Sequence, residues 1–231
     1  MALGGDIENR IGDLIGSTFN ADVGYAGDLI NAAINEIADT ISEDLLLKYS
    51  RNPGALTEAS EWLVEDRKIL KVTRVDANSG GIERECQPLD RTAFAAAQDT
   101  TSLYFATKIS PVYHLDSKNA GAATLKIIPV CNANGQEGRI WYYQYVADGT
   151  DTTALTQATL NTTYNLPNEC IHALVLKASI NILGAYISTQ VQDEEDEELL
   201  RMIQVQKQNL EKSYQEEIAR FMDEAGKPGG E

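Results

Sequence analysis

A chain of 231 residues with 43% hydrophobic and 23% charged side chains can bury a sizeable core, which excludes a wholly disordered polyelectrolyte. Its formal net charge of −16 is uneven: residues 1–60 hold ten acids and three bases, residues 193–231 twelve and five, and the span between sums to −2. Acidic ends around a near-neutral middle disfavour nucleic-acid binding by phosphate neutralisation.

The opening MALGGDIENR has no basic region followed by an apolar stretch, so no secretory leader is expected. Ile7, Ile11, Leu14 and Ile15 predict a first helix face, weakened at Gly16. A longer helix is predicted by Leu29, Ile30, Ala33, Ile34, Ile37, Ile41 and Leu45, at steps of three and four, up to the stop Asn52-Pro53-Gly54. The period then changes. Trp62, Val64, Ile69, Val72 and Val75 are strand formers, Asn78–Gly81 is a turn, and Ile82, Arg84 and Cys86 alternate with acids. Asp90 to Gln98 predicts a short helix capped by Asp90. Leu103 to Ile109 and Val112 to Leu115 predict a strand broken at Pro111. Thr124–Val130 and Arg139–Val146 predict a hairpin across Asn134-Gly135.

A Thr-rich connection, Asp148 to Thr163, leads to Pro167 at a first helical position, with Glu169 in the first turn. The helix that follows is apolar almost all round, through Ile171, Leu174, Val175, Ala178, Ile182 and Ala185. His172, Lys177, Ser179 and Asn181 interrupt it, which favours a buried helix over a membrane span. After the acidic run Asp193, Glu194, Glu195, Asp196, Glu197 and Glu198, a last amphipathic helix carries Leu199, Ile203, Leu210, Tyr214, Ile218 and Phe221 as a packing or interface stripe. Whether residues 168 to 222 form one bent helix or two is open at this level.

The order helices, strands, helices predicts an α+β chain. N- and C-terminal helices form a bundle, with an inserted antiparallel β domain that is a sandwich or barrel-like. The expected boundaries are 1–60 and 166–225 for the bundle, 61–165 for the β domain, and 226–231 as a frayed tail.

Chemistry is harder to find. The three cysteines, Cys86, Cys131 and Cys170, have no CxxC or Cys/His spacing, and are expected to be buried in a reducing compartment. His114 and His172 stand alone, each more readily a structural residue than a general base. No GxSxG, Walker, GxGxxG, HExxH or EF-hand pattern occurs. The expectation is therefore a non-enzymatic protein with no catalytic residues, cofactor or bound metal. The acids Asp193–Glu198 are read first as a solvated helix start. Successive helical positions turn by about 100°, so only two or three carboxylates would converge on a cation; in a ring the same acids would line a channel. Trp141, Tyr143 and Tyr145 share one strand face, with Tyr142 opposite. With Arg139 as the one base nearby, core packing or a subunit contact is preferred to base stacking. Asn161-Thr162-Thr163 matches a glycosylation pattern and is taken as chance.

The succession Ser102-Leu103-Tyr104-Phe105-Ala106, Ile109-Ser110-Pro111-Val112-Tyr113, Leu125-Lys126-Ile127-Ile128-Pro129 and the Trp141–Val146 strand resembles tailed-phage virion structural proteins. So does the Leu166-Pro167-Asn168-Glu169 helix start, followed by a long apolar helix and the acidic run Gln192–Glu198. Within that class a helical bundle with a β insertion resembles the neck, or head-to-tail connector (adaptor), proteins. The resemblance implies a homo-oligomeric ring, often twelvefold, that binds the portal protein and the tail or tail-completion proteins. It implies a place in the virion neck after assembly in the host cytoplasm, with no membrane partner. DNA would pass transiently and without sequence preference through the lumen, where an acidic wall does not hold the backbone. The alternatives are a tail-terminator or other head or tail structural protein, a cellular helical adaptor, and a metal-dependent enzyme built on dispersed carboxylates such as Asp196 and Glu197.

Overall fold

The computed structural model describes residues 7–16, 26–49, 54–56, 62–64, 66–76, 80–117, 123–131, 136–147, 149–150, 156–190 and 197–225. The chain divides into two compact units, Ser50–Gln144 and a second made of Met1–Tyr49 with Tyr145–Glu231. It is an α+β protein, with a helical bundle built from both ends and a β domain inserted in sequence between them.

The helical unit begins with α1 (Ile7–Ile15), whose Ile7, Ile11 and Ile15 are all buried one turn apart. Gly16, at φ 95°, closes it by donating from its N–H to the Gly12 carbonyl at 2.8 Å. The expected second helix is two helices: α2 (Ala26–Thr40) and α3 (Glu43–Tyr49). The break falls at Ser42. It offers its hydroxyl to the Leu45 N–H at 3.4 Å, and Glu43 and Asp44 favour a new first turn. The apolar stripe continues across the break, because Ile30, Ile34, Ile37, Ile41 and Leu46 are all buried.

The connection read as irregular contains α5 (Gln157–Thr163), capped by the Thr156 hydroxyl, which accepts from the Thr159 N–H at 3.1 Å. Pro167 precedes a single 3-10 turn, so it stands one position before the helical start it was expected to occupy. That turn runs into α6 (Ile171–Gln190), the most enclosed helix. Next comes α7 (Glu197–Ala225), 29 residues and about 44 Å long at 1.5 Å per residue. These are two helices packed antiparallel. Lys177 on α6 meets Tyr214 on α7, its ammonium 5.6 Å from the ring centre, and seven residues later Gly184 faces Lys207, seven residues earlier on α7. Lys177 also reaches Glu36 of α2 at 2.9 Å, and Gln206 of α7 donates to the Leu14 carbonyl of α1 at 3.0 Å. Each buried Leu or Ile in such a seam contributes roughly 1.5–3 kcal/mol.

Among its described residues the second unit has eight strands in two sheets and one short helix, α4 (Phe94–Gln98), inside the predicted Asp90–Gln98 segment. The strands are β1 (Gly54–Leu56), β2 (Trp62–Leu63), β3 (Arg67–Asp76), β4 (Ile82–Glu85), β5 (Gln87–Pro88), β6 (Val112–Ser117), β7 (Ala123–Ile128) and β8 (Gln136–Gln144). One sheet has the order β1-β8-β3-β4 and the other β2-β7-β6-β5. All pairs are antiparallel except the short β5–β6 pair. The predicted β3–β4 hairpin is present, with Gly80 and Gly81 supplying the positive φ of its turn. The predicted β7–β8 hairpin is not. β7 pairs with β2 and β6, β8 with β1 and β3, so the two strands belong to different sheets; Asn134-Gly135 lies outside the described residues.

Val72 of β3 and Ile140 of β8 share one buried cluster with Leu125 and Ile127 of β7, Cys86 and Cys131. The arrangement is a sandwich, with no closed barrel among the described residues. The chain leaves the sandwich after Gln144 instead of at 165. Asn35 of α2 holds Val146 by two 2.9 Å hydrogen bonds, one to its N–H and one to its carbonyl, which ties this segment to the helices. At the other boundary, β1 lies in a sheet, so the sandwich begins before residue 61.

Candidate functional site

Of the three aromatics expected on one face, Trp141 and Tyr143 lie two positions apart on β8. Tyr143 is fully buried and Trp141 half-buried, whereas Tyr145 lies past the end of β8. There its hydroxyl donates to the Asp39 carboxylate at 2.7 Å, and burial with that acid pushes its pKa up to about 12. Tyr142 packs against the sandwich core, with the Arg67 guanidinium 5.2 Å from its ring centre. An irregularity between Ile69 and Lys71 accompanies this stretch: Ile69 lies opposite Tyr142 and Lys71 opposite Trp141, leaving Leu70 unmatched.

The α7 stripe resolves into packing. Ile203, Leu210, Tyr214, Ile218 and Phe221 are buried, and Leu199 is half-buried. Burial raises the Tyr214 pKa, opposed by a hydrogen bond to Thr40 and the charge of Lys177. Of the acidic run, Asp193, Glu194, Glu195 and Asp196 lie outside the described residues. Glu197 and Glu198 stand exposed in the first turn of α7, with Glu197 3.7 Å from Arg201. The described residues hold no group of three His, Cys, Asp or Glu side chains that could bind a metal ion.

Single residues sort as follows. Cys86, Cys131 and Cys170 are buried free thiols, and burial pushes Cys86 and Cys170 up to about 12 and raises Cys131 as well. A thiol held protonated in this way is a poor nucleophile. His114 is buried with its ring centre 4.9 Å from that of Phe94, and its Nδ1 lies 3.5 Å from the Leu89 carbonyl. His172 is exposed. Asn161 of the glycosylation pattern is buried and donates to the Leu166 carbonyl at 3.3 Å, so its amide is not offered to solvent.

Arg74, on the inner face of β3, organises a polar cluster inside the sandwich that the sequence did not single out. It donates to the Pro129 carbonyl at 3.2 Å and to the Gln136 side chain at 2.6 Å, and lies 3.9 Å from Asp76. Lys108 reaches the same Asp76 carboxylate at 3.8 Å. The guanidinium ties β3, the residue after β7 and the start of β8, while the two strand residues share a face at a spacing of two.

The exposed apolar side chains are concentrated in two places. The segment expected as a strand, Leu103–Ile109, is a folded loop. Its Asp99 carboxylate accepts from the Thr101 N–H and hydroxyl at 2.9 and 2.7 Å, and the Ser102 N–H bonds the Asp99 carbonyl. Ala106 is buried beside Ala97 and Ile128 and bonds the Ala97 carbonyl at 3.0 Å. The turns bracketing that anchor leave Leu103 102% and Ile109 76% exposed, together with Tyr104 and Phe105. The flanking Asp99-Thr100-Thr101-Ser102 and Ser110-Pro111 were the available signal, since these residues favour turns over a ladder. The second place is the outer side of α7. There Met202 and Val205 are exposed beside the half-buried Leu199, on a helix surface that also carries Glu197, Glu198 and Arg201.

No family model, curated protein or solved structure matches the chain.

Proposed function

We propose that this chain is a ring-forming structural subunit of a tailed-phage neck, joining portal to tail and letting DNA through its lumen. The observation that carries the reading is the separation of roles within the molecule. The acidic surplus belongs to the helical ends of the chain, and the longest helix, α7, has one buried apolar side and an exposed polar side. Such helices ranged around an axis would present a negative wall that repels the DNA backbone and lets it slide. Preformed exposed apolar surfaces on both compact units suit a protein whose working state is an assembly.

The test is negative-stain electron microscopy of the purified chain, alone and mixed with the portal protein of the same particle. Rings with a central channel, or rings formed on the portal, are expected. A monodisperse monomer in both samples overturns the reading.

A further inference from the structure

We propose that residues 145–150 form a strap held by a polar latch on α2, and that this strap opens as a unit while the helices and the sandwich stay folded. Asp28, Asn31, Asn35 and Asp39 follow one another at steps of three and four. At 100° per residue they fall within an arc of about 80° on α2. Each of them holds the strap. Asn35 donates to the Val146 carbonyl and accepts from the Val146 N–H, both at 2.9 Å. Asn31 donates to the Thr150 carbonyl at 3.1 Å, Asp28 accepts from the Gly149 N–H at 3.3 Å, and Asp39 accepts from the Tyr145 hydroxyl. Asparagine is disfavoured in a helix interior, and Asn31 is fully buried. Apolar packing therefore does not account for this stripe, whereas capture of the strap backbone does.

A segment opens below the free energy of global unfolding where it buries little apolar surface and its hydrogen bonds lie near solvent. The strap meets both conditions. Val146 is the one buried side chain among its described residues, and the bonds to Asp28 and Asp39 are exposed. The Thr150 N–H and hydroxyl both donate to the Ala147 carbonyl, at 3.2 and 2.7 Å. That turn lies within the strap and survives release, so the strap moves as one piece. Its position gives opening a consequence. The strap follows Gln144, the last residue of the sandwich unit, and precedes α5. Freeing it adds up to roughly 20 Å of slack to this connection between the units, at 3.3–3.6 Å per extended residue. The latch thus sets the length of a tether, whether or not the chain forms rings.

Hydrogen-exchange mass spectrometry of the full chain, repeated in sub-denaturing urea, tests this. In the wild type the strap amides, Val146 and Gly149 among them, should exchange faster than those of β8 and α6. Their rates should hardly depend on urea, because opening exposes little surface. Asn35→Ala removes both bonds to Val146 and should speed exchange in residues 145–150 by roughly ten- to a hundredfold, with β8, α6 and α7 at wild-type rates. A wild-type strap that exchanges as slowly as β8 and α6, or with their urea dependence, overturns the proposal. So does an Asn35→Ala chain whose strap keeps the wild-type rate, or one in which every segment speeds up alike. The wild-type measurement decides by itself if Asn35→Ala fails to fold.

Discussion

Cys86 and Cys170 have pKa values of about 12 against an ordinary 9.0, with burial the largest cause. In the unfolded chain these thiols ionise near their ordinary value, while in the folded chain they stay protonated. The unfolded state therefore binds fewer protons between about pH 9 and pH 12, and stability falls as pH rises through that window. Below pH 9 the contribution is fully present. Tyr145, raised from 10.0 to about 12, adds to the same alkaline loss. Urea unfolding of the native chain should show a midpoint that is flat from pH 7 to about 9 and then declines; Cys86→Ala with Cys170→Ala should flatten the early part of that decline. A parallel decline in the double variant would show that other groups control the limb. Burial of all three cysteines was legible from their spacing, which offered neither a metal site nor a disulfide framework. The Arg74 cluster was not, because Asp76, Lys108, Pro129 and Gln136 are brought together only when separate strands and a loop converge.

Among the elements, α6 and α7 were the most readable: a period of 3.6 over α7 identifies a helix and its buried side, and α6 stood out as a long apolar segment broken by polar residues. Their antiparallel packing makes Gly184 the informative position. A methyl group there would meet the Lys207 side chain at 3.6 and 3.7 Å, which is ordinary van der Waals contact. Glycine inside a helix costs about 0.5–1 kcal/mol relative to alanine. Gly184→Ala should raise stability by roughly that amount, read as a higher urea midpoint with an unchanged slope. A lower midpoint would mean that α6 and α7 approach more closely than this contact implies. The strand elements were less legible. Leu103–Ile109 has strand composition, yet Asp99, Thr101, Ser102 and Thr107 hold its backbone in local side-chain bonds that compete with a ladder. Asn134-Gly135 has hairpin chemistry, but β7 and β8 pair with different strands in different sheets.

For the whole molecule, the charge of −16 sets how copies approach one another. Acidic ends repel over about a Debye length, near 10 Å at 0.1 M salt, while apolar contacts are unaffected by screening. Raising sodium chloride from low to moderate concentration should therefore strengthen self-association, measured as a higher weight-average mass at fixed protein concentration. A fall in mass with salt would point to ion pairs, not apolar docking, as the main attraction. The sequence by itself determined the α+β class, the order of helices and strands, the buried stripes and the terminal placement of charge. Each of these follows from local periodicity and composition. Only the tertiary structure decided which strands pair, where the sandwich ends, and that a loop of strand-like composition stands in solvent. Those outcomes depend on contacts between residues far apart in the chain, and no local pattern records them.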